Sequence, residues 1–203
     1  MKRNYDLEMQ QVLKTLAGKP RLLLHSCCGP CSSAVLEKLT PHFQVTVYFF
    51  NPCIHPAAEY EKRLREQKRL IEEAKLPVGL LEAPYQPERY FEQVQGLESA
   101  PEGGERCLVC FRQRLDATAQ AAKAHGYDFF TTTLTVSPHK NAENLNRIGQ
   151  EVSIEVGVPF LPADFKKRNG YLRSLQLSAE YALYRQDYCG CVFSKREQEN
   201  EQL

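Results

Sequence analysis

No stretch of this chain approaches the roughly 18–20 apolar residues that a membrane-spanning helix needs. Residues Met1 to Gln11 carry charge and amide where a secretory signal would carry an apolar run. Both absences predict a cytoplasmic protein with no membrane partner. Charge imbalance is missing too, since 26 Lys and Arg against 25 Asp and Glu leave a net charge of +1. No global basic field marks the chain as a nucleic-acid binder, so any such contact must rest on a local patch. Neither an internal repeat nor a linker divides the sequence. Its 203 residues suffice for one domain that buries a core without staples. We expect that domain to span 1–203, with a charged, frayed tail over 195–203.

The chain is rich in clustered sulfur. Seven of its eight cysteines fall in Cys27-Cys28-x-x-Cys31, Cys107-x-x-Cys110 and Cys189-x-Cys191. Adjacent residues hold their Cα atoms ~3.8 Å apart, whereas disulfides prefer roughly 4.4–6.8 Å, so Cys27 and Cys28 cannot bridge to each other without strain. The same caution covers Cys189 and Cys191. In a reducing compartment such groups read as metal-binding or catalytic. A tetrahedral ion uses about four thiolates, which leaves three over.

Short apolar runs alternate with helical patterns. Strands are expected at 21–25, 44–50, 78–83, 127–134 and, briefly, 160–163. A helix from Pro30 to about Leu39 follows the first strand. Tyr60, Leu64, Ile71 and Ala74 form the apolar stripe of a helix over 57–75. A short helix runs from Pro87 to near Gly96, and a loop over 99–105 presents Cys107. Leu108, Phe111, Leu115, Ala119 and Ala122 form the next stripe, ending at Gly126, and 142–156 is a further helix. Leu172, Leu175, Ala179 and Ala182 mark a last helix ending just before Cys189. The alternation predicts an α/β fold in three layers, with a mostly parallel sheet of about five strands flanked by helices. Ligands of such sheets sit beyond the carboxyl ends of the strands. The loops holding Cys27, Asn51 to His55 and Thr133 to Lys140 converge there.

Taken alone, Cys107, Cys110, Cys189 and Cys191 fit a closed structural zinc site, and iron–sulfur ligation uses the same sulfurs. Cys27, Cys28 and Cys31 sit at a helix N-terminus whose N–H dipoles favour thiolates. A thioredoxin-like Cys28/Cys31 couple would leave Cys27 and two pairs unexplained. Cys53 reads as a loop or core thiol, and His25, His55 and His139 as hydrogen-bonded structural residues. The basic run Lys62 to Arg69 reads as a solvated helix face with Glu partners. Phe165-Lys166-Lys167-Arg168-Asn169-Gly170-Tyr171 mixes cations with aromatics and suits a phosphate backbone.

Together these residues resemble the QueH-type epoxyqueuosine reductases. The resemblance is carried by Leu23-Leu24-His25-Ser26-Cys27-Cys28-Gly29-Pro30-Cys31-Ser32 and by Phe50-Asn51-Pro52-x-Ile54-His55-Pro56-x-x-Glu59-Tyr60. Further matches are Arg106-Cys107-x-x-Cys110-Phe111-x-x-Arg114-Leu115 and Thr132 to Asn141. The match closes with Asp164 to Tyr171, Glu180-Tyr181 and Tyr184-Arg185-Gln186-x-Tyr188-Cys189-Gly190-Cys191. It covers about 21 to 194 in order.

The resemblance implies a layout similar to the adenine-nucleotide α-hydrolase and ATP-pyrophosphatase folds. It implies reduction of the epoxide of epoxyqueuosine at the tRNA wobble position, with a [4Fe-4S] cluster, an adjacent mononuclear metal expected to be iron, and no cobalamin. Electrons would come from an external one-electron donor such as a ferredoxin or flavodoxin. On that basis the cluster is assigned to Cys107, Cys110, Cys189 and Cys191, and the open, catalytic metal to Cys27, Cys28 and Cys31. Exchange of one ligand between the centres stays open. Asn51, His55, Tyr60, Lys166, Arg168 and Arg185 are expected to bind substrate. Tyr48 and Phe50 are candidates to line the pocket, Lys167 and Arg173 to meet phosphate, and Asp164 or Asp187 to relay protons.

Two positions depart from the family pattern. Some relatives place Asp where this chain has Cys31, and a thiolate there makes the metal site softer. Others often show Asn at Cys53, which leaves that thiol outside the metal set. Competing readings are a zinc-stabilised nucleic-acid-binding module and an ATP-dependent tRNA thiolation-type enzyme. The latter wants a Ser-Gly-Gly-x-Asp-Ser phosphate loop, and Cys27-Cys28-Gly29-Pro30-Cys31-Ser32 stands there instead.

Overall fold

Three leucines set the middle of the molecule. Strand β1, Arg21–His25, carries Leu22, Leu23 and Leu24, all fully buried. In a strand, successive side chains point to opposite faces. Leu23 accordingly joins one core cluster and Leu22 and Leu24 another. Full burial of such a side chain stabilises by about 1.5–3 kcal/mol each. A computed structural model describes residues 3–195.

The sheet is parallel throughout. Strand β2, Gln44–Phe49, lies on one side of β1, with strand β3, Gly79–Glu82, beyond it. Strand β4, Phe129–Thr132, lies on the other side, giving the order β3-β2-β1-β4. Helices cover both faces, as parallel sheets require. Helices α1 (Tyr5–Thr15), α2 (Gly29–Leu39) and α3 (Ala57–Glu73) supply Met9, Val35, Leu36, Leu39 and Leu70 to the core on the Leu22/Leu24 side. Helix α4 is Glu88–Gln93. Helices α5 (Glu105–Ala124) and α6 (Ala142–Val156) pack Leu115, Ala119, Leu145 and Val152 on the Leu23 side. Helix α7, Gly170–Glu180, packs on α2. No helix among the described residues is long and apolar enough to cross a membrane.

The expected fifth strand shrinks to one bridge between Phe130 and Phe160. Phe130 donates to the Pro159 carbonyl (3.0 Å) and accepts from Leu161 N–H (2.9 Å). Pairing stops there for local reasons. The Leu161 carbonyl accepts from Thr131 Oγ1 (2.9 Å), Pro162 has no N–H, and Ala163 N–H turns to Asn146 Oδ1 (2.9 Å). Beyond β4 the chain winds into a 3-10 turn, Thr133–Val136, capped by Thr132 Oγ1 on Leu134 N–H (3.2 Å).

Two helix faces differ from the pattern expected. The buried face of α3 is Tyr60, Arg63, Gln67 and Leu70, with Leu64, Ile71 and Ala74 only half-buried. Arg63, read as part of a solvated face, is 1% exposed. On α7 the buried residues are Gly170, Ser174, Leu177 and Ser178, while Leu172, Ala179 and Ala182 are exposed. Small side chains let α7 approach α2 closely, so the apolar stripe points elsewhere. That helix also stops at Glu180, well before Cys189. Helix α1, not foreseen, begins at Asn4, whose Oδ1 accepts from Leu7 N–H (3.2 Å). The tail expected over 195–203 lies outside the described residues beyond Lys195, whose N–H bonds the Cys191 carbonyl (3.2 Å).

Candidate metal centre

The turn from β1 into α2 is short and tightly held. Cys28 is the extended N-cap residue of α2, with Pro30 in the first turn. Gly29 permits the close approach of α3, because a Cβ there would sit 3.1 Å from the Glu66 carbonyl oxygen. Buried Gln67 on α3 clamps the turn, its Oε1 accepting from Ser26 Oγ and Ser32 Oγ, each at 2.8 Å. Asn51 Nδ2 donates to the Ser26 carbonyl (2.8 Å) from the loop after β2. Buried His25 bridges the Thr132 hydroxyl (2.9 Å) and the Phe50 carbonyl (3.1 Å). Burial lowers its pKa to about 4, which keeps the ring neutral near pH 7.

This scaffold brings Cys27, Cys28 and Cys31 together, all three Sγ atoms within 4.8 Å of one another. The Cys27 and Cys28 sulfurs are 3.8 Å apart, and both thiols are free. Metal–thiolate bonds of ~2.3 Å in a tetrahedron place ligand sulfurs about 3.8 Å apart. The triad is therefore close to the spacing that one ion imposes. Hydrogen bonds from Cys28 and Cys31 hold the Cys27 thiol well below its ordinary pKa. Burial, and then Cys27 beside it, push Cys28 up to about 12. Hydrogen bonding to Cys27 and Cys28, joined by burial, raises Cys31. Loading a metal on such a set releases the protons its thiols still hold. Gln186 Nε2 donates to Cys28 Sγ (3.0 Å), the kind of outer contact that orients a metal ligand.

The other four expected ligands come from two elements, and Cys189 shares a cavity wall with Cys27 and Cys31. Cys107 and Cys110 lie in the first turns of α5, and Cys189 and Cys191 on the segment after α7. Cys189 Sγ accepts from Lys140 Nζ (3.1 Å), Cys107 Sγ from Gly103 N–H (3.2 Å), and Cys191 Sγ lies 3.1 Å from the Tyr90 hydroxyl. Charge on Cys110 is felt at Cys107 and Cys191, and charge on Cys189 at Cys107. Hydrogen bonding with Cys53 lowers Cys110 to about 6. Among the described residues, Cys27, Cys28 and Cys31 form the only group of three or more near enough to share a single ion.

A cavity of about 530 Å³ joins the two groups, with Cys27 and Cys31 on its wall beside Cys189 and Lys140. Arg185, Gln186, Asp187, Tyr171 and Tyr188 also line it. Lys166 stands behind Lys140, its Nζ 3.0 Å from Asp164 and 3.5 Å from the Lys140 carbonyl. Of the remaining expected residues, Asn51 buttresses the Cys27 turn from beneath. His55 takes part in the scaffold, its N–H on the Gly190 carbonyl (2.8 Å) and its carbonyl under the Tyr188 hydroxyl (3.1 Å). Tyr60 bonds the Ala83 carbonyl (3.3 Å) and stacks on Tyr85, while Tyr48 stacks on Phe50. Arg168 pairs with Asp6 (2.7 Å) and Arg173 with Glu37 (2.7 Å). Lys167 is exposed.

Several supporting residues escape a reading by composition. Arg106, Cys110 and Arg114 stand at i, i+4 and i+8, so two arginines share the helix face of a cysteine. That spacing is the signal available in advance. Arg106 Nη1 bonds the Glu98 carbonyl (2.8 Å) and the Ala100 carbonyl, fixing the loop that presents Cys107. Buried Arg63 pairs with Glu59 (2.6 Å) and holds the Tyr188 and Cys189 carbonyls (3.3 and 3.2 Å).

Fold and site define a class: a parallel α/β protein with a thiol-lined centre at the carboxyl edge of its sheet, suited to a soft metal. Comparison with known proteins makes this specific. A family model described as epoxyqueuosine reductase QueH matches residues 22–197. The epoxyqueuosine reductase QueH of Streptococcus pyogenes is 47% identical over 96% of this chain and 79% of its own length. The Staphylococcus aureus protein of that name is 42% identical over 97% and 87%, and the Thermotoga maritima one 36% identical over 85% and 89%. The chain belongs to the epoxyqueuosine reductase QueH family, a family of oxidoreductases.

Proposed function

We propose that this chain reduces the epoxide of epoxyqueuosine, at the wobble position of a tRNA anticodon, to the alkene of queuosine. The observation that carries the reading is the thiol triad on a cavity wall, its Sγ atoms within 4.8 Å, with Cys189 on the same cavity. In our reading Cys27, Cys28 and Cys31 would hold a mononuclear iron, and Cys107, Cys110, Cys189 and Cys191 a [4Fe-4S] cluster, without cobalamin. When bound, such centres supply single electrons and a Lewis acid for an epoxide oxygen.

The reaction consumes two electrons and two protons and releases water. The electrons come from an external one-electron carrier, a ferredoxin or flavodoxin. The protein's own groups bind and orient the nucleoside. The target base leaves the anticodon stack, as base-modifying enzymes require, and Tyr171 and Tyr188 offer ring faces at the cavity. Arg185 and Lys166 meet phosphate, while Lys167, Arg168 and Arg173 lie further out. Asn51, His55 and Tyr60 act by shaping the pocket rather than by touching its contents. Asp187, on the cavity wall, is better placed than Asp164 to relay a proton.

An anaerobic assay on tRNA bearing epoxyqueuosine, with a chemical one-electron donor, tests this reading. Parent protein should convert the substrate, and Cys27→Ala should abolish turnover. Full activity in Cys27→Ala would contradict the assignment. Binding of tRNA should weaken steeply with salt, and Arg185→Ala should reduce that slope by about one unit.

A further inference from the structure

The guanidinium of Arg114 is 1% exposed, on the face of α5 that carries Cys110. Its Nη2 contacts Cys53 Sγ, and its Nε has no hydrogen-bond partner. No carboxylate pairs with it among the described residues; the groups whose charge it feels are Cys110, Cys53, Cys189 and Cys27. Arginine does not deprotonate in proteins. A buried cation costs several kcal/mol unless an anion compensates it. The arrangement makes sense when the surrounding sulfur carries net negative charge, as thiolates around iron do.

We propose that Arg114 is the fixed countercharge of the sulfur-held centre, a positioning residue that retains the centre and raises its reduction potential. The inference rests on the reading that these thiols bind an iron–sulfur centre. Potentials of such centres follow net charge, hydrogen bonds to sulfur and solvent exposure, and Arg114 touches the first two. Cys53 belongs to this role. It contacts the guanidinium and hydrogen-bonds Cys110, linking the cation to that ligand's sulfur.

The test compares parent, Arg114→Lys and Arg114→Gln after anaerobic iron and sulfide reconstitution. Iron and sulfide per chain and the midpoint potential, from an electron paramagnetic resonance redox titration, are measured. Circular dichroism of the metal-free proteins reports folding. Arg114→Gln should fold, retain less iron, and shift its one-electron equilibrium toward the oxidised form at least tenfold, about 59 mV more negative. Arg114→Lys should recover most of both properties. Equal potential and iron content in parent and Arg114→Gln would overturn the proposal while leaving the metal reading intact. A parent that takes up zinc but no iron or sulfide would overturn both.

Discussion

Replacing Arg63 by Met tests how the Cys189 segment is held. Three contacts disappear: the ion pair with Glu59 (2.6 Å) and the bonds to the Tyr188 and Cys189 carbonyls. Glu59 is left 11% exposed, with the Tyr184 hydroxyl (3.3 and 3.1 Å from its two oxygens) as its remaining hydrogen-bond donor. Removing one member of a buried pair costs about 3–5 kcal/mol. The segment's other ties include the His55 N–H to Gly190 (2.8 Å), Tyr188 to His55 (3.1 Å), Gln186 to Cys28 (3.0 Å), Tyr184 N–H to Glu66 (2.8 Å), Lys140 to Cys189 (3.1 Å) and the Tyr90 hydroxyl to Cys191 (3.1 Å). At a net ~1 kcal/mol each these six total about 6 kcal/mol, somewhat more than the loss, so the segment is weakened while the fold survives. The variant should therefore open locally over 184–191 rather than unfold. Hydrogen exchange in the metal-free protein should detect this at the His55 amide, accelerated by roughly two to almost four powers of ten. Iron uptake should fall in parallel. Exchange at His55 within threefold of the parent, in a folded variant, would refute this account of how the segment is anchored.

Two further expectations concern the scaffold. Gly149→Ala should lower the melting temperature by roughly 2–12 °C through overpacking of about 1–3 kcal/mol, because its Cβ would lie 2.5 Å from the Phe160 ring; an unchanged melt would show that Phe160 can move aside. The Glu66 carboxyl is held below its ordinary pKa by hydrogen bonding to Arg69 and by the Tyr184 N–H. Its contribution is therefore full above the unfolded value of about 4.3 and lost as pH falls through the lower folded value. Glu66→Gln should cost about 1 kcal/mol near pH 7 and flatten the acid limb of the stability curve; an acid limb like the parent's would count against the assignment.

The central architecture was legible because β-branched and leucine-rich runs at 21–25 and 44–49 can only be buried strands here. The β1–α2 turn was legible because Pro30 and three cysteines mark one short stretch. What escaped was polar burial. Charge on Arg63, Arg106 and Arg114 reads as solvent-facing unless the partners are known: Tyr188, Cys189 and Cys53 lie far away in sequence, and the nearby Glu98 and Ala100 carbonyls carry no side-chain signal. The α7 face escaped because Ser174 and Ser178 are buried for their size rather than their hydrophobicity. The fifth strand failed at Pro162 and at side-chain competition from Thr131 and Asn146, which no local pattern displays. Cys53 was read as a loop or core thiol, and its contact with Arg114 depends on a fold-level meeting of two elements.

Iron, acid-labile sulfide and zinc per chain, measured on protein purified without oxygen, bear most directly on the thiol-held centres. About four sulfides with roughly five irons per chain are expected, one iron beyond a [4Fe-4S] cluster. A single zinc per chain with no sulfide, in a colourless protein, would contradict the account.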